Sequence, residues 1–279
     1  EINVAYESWR TEDKELTKKE KGKHERFTCF SLDGYPGKVI RVKDEITHHK
    51  NGVLFYHRNP KDKLIPDILI EQQELEAYKN EIYDDIKYRT FGGFLFGIGL
   101  IPAGTSQGQY QITPYKSWLL KSEKASNQHQ ICIATNIEQT EQLENWKTNL
   151  FNTVENSIHN SEQKFSDTKN WWNSFWQRSY IVINPDNPKP NDSVWQMGRN
   201  YQLFRYQLGG NISGEYPTKF NGGSLIYDPV LVDTNKAYEP DWRQWGGAVH
   251  TAQNQRLLYW PMLMAGDYDL MQPFFDYYT

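Results

Sequence analysis

The sequence predicts a mixed two-domain fold, with an N-terminal β-sandwich, a helical linker and a helical C-terminal domain. Two observations support this prediction. The first is length, because 279 residues exceed the about 100–200 residues of an ordinary domain. The second is a change of pattern near residue 140, from short strand-like runs to apolar residues spaced three and four apart. We place the three regions at residues 1–138, 139–190 and 191–279.

Short runs rich in β-branched and aromatic residues predict the strands of the first domain. Gly, Pro and Asn separate these runs, which is typical of sandwiches rather than of parallel α/β sheets. The predicted strands are residues 3–9, 26–30, 38–42, 52–57, 91–101, 109–112 and 129–134. One helix is expected among them, near residues 70–88.

The second half of the chain shows helical periodicity. Apolar residues from Leu143 to Val154 recur at steps of three and four, which predicts an amphipathic helix over residues 142–156. Further helices are predicted over residues 161–178, from 192 to the Gly209–Gly210 pair, over 248–265 and from 267. The glycine pair is interpreted as a C-terminal stop signal. The sequence ends at Thr279 without such a signal, so we expect a longer natural protein.

Charge and composition argue against several classes of protein. A net charge of -4 provides no field that gathers nucleic acid, which requires clustered Lys and Arg. No apolar run approaches the about 20 residues that cross a bilayer, so no membrane insertion is expected. The sequence contains neither a phosphate-binding Gly-rich loop ending in Lys-Ser/Thr nor a Gly-x-Ser-x-Gly motif. This argues against nucleotide hydrolysis and esterase chemistry.

Aromatic residues form 15% of the chain, including 10 Trp and 18 Tyr. Their faces stack on the C–H faces of sugar rings, but they also fill hydrophobic cores. For Trp171, Trp172 and Trp176 packing between domains is the expected role. Adjacent His48 and His49 predict no metal site with His57, because neighbouring residues of a strand point to opposite faces. We expect no metal and no organic cofactor.

Four segments of the second half resemble glycoside hydrolases. They are residues 171–179 (WWNSFWQRS), 214–223 (GEYPTKFNGG), 242–247 (WRQWGG) and 253–261 (QNQRLLYWP). Together they are similar to a poorly characterised bacterial group related to the inverting α-L-fucosidases of glycoside hydrolase family 95. The resemblance extends over about residues 160–279, and before residue 140 only the sandwich character agrees.

The resemblance implies a β-sandwich, a helical linker and the opening helices of an (α/α)6 barrel, with sugar bound where the loops between helices converge. In the fucosidases, one barrel helix begins with two Asn separated by one residue, which position and activate the hydrolytic water. The second Asn corresponds to Asn254, the predicted catalytic residue. The first corresponds to Ala252, and a further Asn of the motif is replaced by Leu258. The family's general acid, a Glu, lies beyond the residues of this sequence.

The irregular segment over residues 211–247 is long, aromatic and Gly-rich, and such segments in compact domains are frequently functional. The predicted substrate-binding residues lie in it or follow it: Asn221, Arg243, Trp245, His250 and Gln253. The alternatives are an ion pair with Glu239 or Asp241 for the arginine, core packing for the Trp and His, and structural hydrogen bonds for the amides. Asp228 and Asp233 are weaker candidates for a general base.

These features predict a glycoside hydrolase that acts on an oligosaccharide or polysaccharide by water displacement at the anomeric carbon. Two alternatives stay open. One is a non-catalytic glycan-binding protein, which Ala252 favours, and the other is a polysaccharide lyase that recruits Tyr259, His250 and Arg243. A start at Glu1 without an initiator Met fits a periplasmic or extracellular protein whose signal has been removed.

The 279-residue chain alone is expected to be inactive and poorly stable. A barrel that stops after its first helices leaves apolar faces without partners, and exposed patches of that kind favour aggregation. The residues expected on these open faces are Leu257, Trp260, Leu263 and Phe274.

Overall fold

The structure is a computed structural model that describes residues 1–16, 37–111, 113–187, 189–211, 214, 216–217, 240–241 and 252–278. The chain divides into two compact units. Of the described residues, the first unit holds those up to Asn160 together with Pro240, and the second holds the others from Ser161 onward. We call them the sheet unit and the helical unit.

The described strands all lie in the sheet unit and pair antiparallel. They are β1 (Asn3–Ser8), β2 (Lys14–Glu15), β3 (Ile40–Arg41), β4 (Glu45–His49), β5 (Gly52–Arg58), β6 (Arg89–Gly97), β7 (Leu100–Tyr110), β8 (Thr113–Ser122) and β9 (Ile131–Gln139). A three-stranded sheet has the order β1-β8-β7, a four-stranded sheet has the order β4-β5-β6-β9, and β2 pairs with β3. The predicted sheet-rich first domain is confirmed.

The two larger sheets share one hydrophobic core. It joins residues of the four-stranded sheet to residues of the three-stranded sheet: Ile46, Val53, Leu95, Leu100, Trp118 and Leu120. The other face of the four-stranded sheet is covered by helix α2 (Leu143–His159), whose Trp146 packs with Leu54 and Phe94. Adjacent residues of a strand point to opposite faces, so β5 places Val53 in one core and Leu54 in the other.

The helix predicted near residues 70–88 is shorter and starts earlier. Helix α1 (Ile65–Gln72) is followed by a 3-10 turn at Glu76–Tyr78. The helix ends because Glu74 has a φ of +55°, and the Leu75 N–H then donates to the Ile70 carbonyl at 2.9 Å. This left-handed turn closes the helix without a glycine.

Several strand predictions differ from the structure. The run at 109–112 begins with the last residues of β7 and continues into the turn at Gln111, which has a φ of +54°. The run at 91–101 is a hairpin of β6 and β7 around Gly99, which has a φ of +71°. Strands β2, β4 and β8 were not predicted from the sequence. The run at 26–30 lies outside the described residues.

The described helices of the helical unit are α3 (Ser161–Arg178), α4 (Ser193–Asn211), α5 (Ala252–Ala265) and α6 (Gln272–Tyr278), with a 3-10 turn at Tyr268–Met271. The predicted bounds of α3 are confirmed. The prediction that Gly209–Gly210 ends α4 is wrong, because the helix runs through both glycines to Asn211. A Cβ at Gly209 would lie 3.1 Å from ring atoms of Trp172 and Phe175, so this glycine allows close helix packing.

Aromatic rings join α3 to α4. Trp172 stacks on Tyr206 with ring centroids 5.1 Å apart, and Phe175 is buried between neighbouring Trp side chains. The Trp side chains of α3 therefore contact rings of the helical unit, and their packing between domains stays a prediction. A second cluster joins α4 to α5 and to the 3-10 turn, and Phe274 of α6 packs against it. Its buried residues are Leu208, Leu258, Tyr259, Met262 and Met271.

None of the helices among the described residues combines the length and the apolar character that crossing a membrane requires.

Candidate functional site at the start of helix α5

The predicted site residues lie between α4 and α5 or in the first turn of α5. Those outside the described residues are Asn221, Asp228, Asp233, Arg243, Trp245 and His250. Gln253 and Asn254 belong to the first turn of α5, where only their backbone is described. Their functional roles stay predictions.

The backbone at the start of α5 provides hydrogen-bond donors. The N–H groups of the first helical turn have no carbonyl acceptor within the helix. The helix dipole adds partial positive charge at the same end. The backbone of Gln253 and Asn254 lies in this first turn.

Gln255 is the residue of this region that sequence reasoning missed. Its side chain is 1% exposed, and its Nε2 and Oε1 atoms have no hydrogen-bond partner in the described part of the chain. A buried amide left without partners destabilises a fold by about 1–3 kcal/mol. The signal in the sequence is a polar residue at an apolar position, since Leu258, Tyr259 and Met262 follow at steps of three, four and seven.

Contacts along α4 and α5 show that the two helices run in opposite directions. Leu208 belongs to the cluster that contains Leu258 and Met262, whereas Arg205, one turn earlier in α4, bonds to Asp267 beyond the end of α5. The end of α4 and the start of α5 therefore lie at the same end of the pair. Gln255 lies about 15 Å along the helix axis from its last residue, at 1.5 Å per residue.

A buried ion pair occupies the opposite end of α5. The Arg205 and Asp267 side chains are 2% and 3% exposed, and Arg205 Nη2 lies 2.9 Å from both carboxylate oxygens of Asp267. The guanidinium also donates to the carbonyls of Phe175 and Ser179 and lies 4.1 Å from the centroid of the Phe175 ring. This one arginine thus links three helices of the unit.

The turn after α5 positions Asp267 for this pair. Gly266 has a φ of +75°, its N–H donates to the Leu263 carbonyl at 3.3 Å, and the Asp267 N–H donates to the Met262 carbonyl at 2.9 Å. These two bonds form a Schellman motif, the common glycine-containing end of a helix. The helix stop signal and the buried carboxylate are therefore adjacent residues.

Arg178 extends the cluster toward the surface. Its guanidinium donates to both oxygens of Asp269, with Nη2 and Oδ2 3.0 Å apart, and Nη1 lies 3.5 Å from Asp267 Oδ1. The hydrogen bond from Arg178 lowers the pKa of the Asp269 carboxyl, although partial burial opposes this effect. Both aspartates of this end are paired with arginines, so the cluster is suited to holding the helices together rather than to proton transfer.

The sheet unit contains a separate cleft with a volume of about 720 Å³. Its walls carry lysines and acidic residues in similar number: Lys61, Lys79, Lys87, Asp62, Asp67, Glu81 and Asp84. Burial alone would raise the pKa of Asp67, but hydrogen bonds from the Lys79 ammonium and the Leu64 amide lower it. Charges of both signs therefore line the cleft, and no patch of a single sign marks it as an ion-binding site.

The three histidines considered for a metal site have separate partners. His48 Nε2 lies 3.0 Å from the Leu119 carbonyl oxygen, His49 packs on Phe151, and His57 Nδ1 lies 3.0 Å from Asp44 Oδ1. Among the residues that the structure describes, no group of three His, Cys, Asp or Glu side chains is arranged to hold a metal ion.

The fold thus defines a class of protein with a sheet-rich N-terminal domain and helices C-terminal to it. Residues 1–181 match the family described as "Domain of unknown function (DUF5703)", through its N-terminal domain. The match covers more than half of the chain, and the chain belongs to this family. Comparisons with curated proteins and with solved structures give no significant match.

Proposed function

We propose that this protein is a glycoside hydrolase related to the inverting α-L-fucosidases of glycoside hydrolase family 95. It acts on a glycan or oligosaccharide, and water displaces the leaving group at the anomeric carbon. The observation that supports this proposal most directly is the buried Gln255 amide beside Asn254 at the start of α5. Export to the periplasm or the cell exterior is part of the same proposal.

The apolar surface of α5 supports the proposed (α/α)6 barrel. One face packs through Leu258 and Met262, while Leu257, Trp260 and Met264 on another face are 51%, 62% and 86% exposed. A helix that is apolar on more than one face is typical of an interior position between other helices. Of the faces predicted to be open, that at Phe274 is instead packed against the α5 cluster.

The proposed chemistry assigns water activation to amides at the start of α5. Inverting hydrolysis needs a water held on the face opposite the leaving group, and a carboxylic acid that protonates the leaving oxygen. Asn254 is proposed to orient this water. Asp267 and Asp269 are not proposed as acid or base, because both lie at the other end of α5 and are paired with arginines.

A panel of oligosaccharides incubated with the full natural protein tests this proposal, with the product anomers read by NMR. Replacing Asn254 with Ala should reduce kcat about 30- to 1000-fold, since removing one preorganised hydrogen-bond donor from an active site costs about 2–4 kcal/mol. The melting temperature should change little. Asn200, an exposed residue of α4, provides the matched Asn→Ala control and should leave kcat unchanged.

An unchanged kcat with a lower melting temperature would remove Asn254 from the catalytic site. The second candidate function is a glycan-binding protein without catalysis, which is favoured by Ala252 in place of the first Asn of the fucosidase pair. Binding of an oligosaccharide in the panel without any product would select this second function.

A further inference from the structure

We propose that Gln255 binds a sugar ring directly, through hydrogen bonds from its side-chain amide to two neighbouring hydroxyl groups. This inference rests on the proposed function, since it assigns a further ligand contact to the same site. It goes beyond the family resemblance, which points to Asn254 and not to the residue after it. The supporting observations are burial, the missing hydrogen-bond partners and the position of Gln255 in α5.

The position of Gln255 sets it apart from an ordinary surface amide. It continues the stripe of Leu258, Tyr259 and Met262 by one turn toward the start of α5, so it is an apolar position by helical geometry. An apolar side chain of similar size would complete this stripe. Stability alone therefore does not explain a glutamine here, and residues that reduce stability are common at functional sites.

The chemistry of the unpaired atoms indicates the class of ligand. Oε1 accepts hydrogen bonds and Nε2 donates them, and neither has a partner among the described residues. An ionised carboxylate offers acceptors only and would leave Oε1 unpaired. Two adjacent hydroxyls of a neutral pyranose offer a donor and an acceptor together, which satisfies both atoms at once.

The ion-pair cluster anchors the far end of α5. Arg205 and Asp267 hold the end of α5 to α3 and α4, while the Gln255 end is held by apolar packing. The amide is therefore carried by a helix that is packed at both ends, and side chains on regular elements are positioned more precisely than those on loops.

The test compares wild type with Gln255→Met in the full natural protein, because Met keeps the unbranched shape and removes both polar atoms. Without sugar, the melting temperature of the variant should rise by about 2–8 °C, as expected when an unsatisfied buried amide is removed from a domain of this size. Binding to a panel of L-fucose, D-galactose and D-glucose is measured by calorimetry. The affinity for the sugar that wild type binds should fall about tenfold or more.

Two variants make the comparison sharper. Gln255→Leu repeats the test with a different apolar shape, in case Met packs poorly. Gln177→Met makes the same change at an exposed position of α3 and should alter neither the melting temperature nor the affinity.

Each contrary result has a separate meaning. A lower melting temperature in both apolar variants would show that the Gln255 amide is satisfied within the fold, and would overturn the inference. A higher melting temperature with unchanged sugar affinity would also overturn it, because the amide would then face only an ordered water. If wild type binds none of the three sugars, the inference is overturned, whereas the proposed function is decided separately by hydrolysis of the oligosaccharide panel.

Discussion

Replacement of Asp267 with Asn should destabilise the helical unit by about 3 kcal/mol or more. Breaking a buried ion pair by changing one partner costs about 3–5 kcal/mol, because the other charge stays buried without compensation. Asn removes the negative charge and presents an N–H2 group to the guanidinium of Arg205. The carbonyls of Phe175 and Ser179 still accept hydrogen bonds from Arg205, which places the expected loss toward the lower end of the range.

Asp269→Asn is the matched control, two residues away in the same turn. Asp269 also pairs with an arginine, but its side chain is 56% exposed, so its loss should cost less than about 1 kcal/mol. Urea unfolding followed by near-ultraviolet circular dichroism reports on the packed Trp rings next to Arg205. Added salt should reduce the stability loss of Asp269→Asn more than that of Asp267→Asn, because ions screen mainly exposed charges.

A double variant separates charge from packing. Arg205→Met combined with Asp267→Leu should be more stable than either single variant, since apolar residues of similar volume can replace a buried pair at little cost. Equal losses of stability in Asp267→Asn and Asp269→Asn would contradict this account of the ion pair. So would a double variant whose loss equals the sum of the losses measured for Arg205→Met and Asp267→Leu alone.

Two further predictions concern packing and pH. Gly210→Ala should stabilise the helical unit by about 0.5–1 kcal/mol, because a Cβ there meets no atom within 4 Å. Gly209→Ala should be about 1–3 kcal/mol less stable than Gly210→Ala, because its Cβ would lie 3.1 Å from ring atoms of Trp172 and Phe175. Equal stabilities in urea would contradict this. In the sheet unit, burial and then the charge of Asp44 raise the pKa of Tyr6 to about 12 from its ordinary value of 10.0. The unfolded chain releases this proton first, so the free energy of unfolding should fall as pH rises from 10 to about 12. In Tyr6→Phe the free energy of unfolding should fall less with pH, whereas the control Tyr110→Phe, at an exposed residue, should follow wild type. The same pH dependence in Tyr6→Phe and wild type would refute the prediction.

Local patterns in the sequence were sufficient to predict the elements in which buried residues recur at a single helical spacing. Helices α2 and α3 were predicted closely because apolar residues recur along one side of each. Strand β8 was missed because its sequence contains Pro114 and does not alternate, although Trp118 and Leu120 enter the core. The end of α4 was misplaced because a glycine that serves packing resembles a glycine that stops a helix.

In the helical unit, too, the local sequence indicates some features and gives no sign of others. Gln255 was detectable in principle, because one polar residue interrupts an apolar stripe of α5. The pairing of Arg205 with Asp267 was not detectable, because the two residues are 62 positions apart and only the fold brings them together. Asn254 remains a prediction from resemblance, with its backbone placed in the first turn of α5.

The packing of α3 affects how the family domain can be isolated. The family match includes residues 161–181, but α3 packs within the helical unit, where Phe175 is almost fully buried. A recombinant piece cut at residue 181 would carry this helix without α4 and would present the Phe175 and Trp172 rings to water. Cutting after Asn160 leaves the sheet unit with α2 over its outer face and removes α3 with its exposed aromatic rings. Size-exclusion chromatography should show the shorter piece as a single species and the longer one as self-associating.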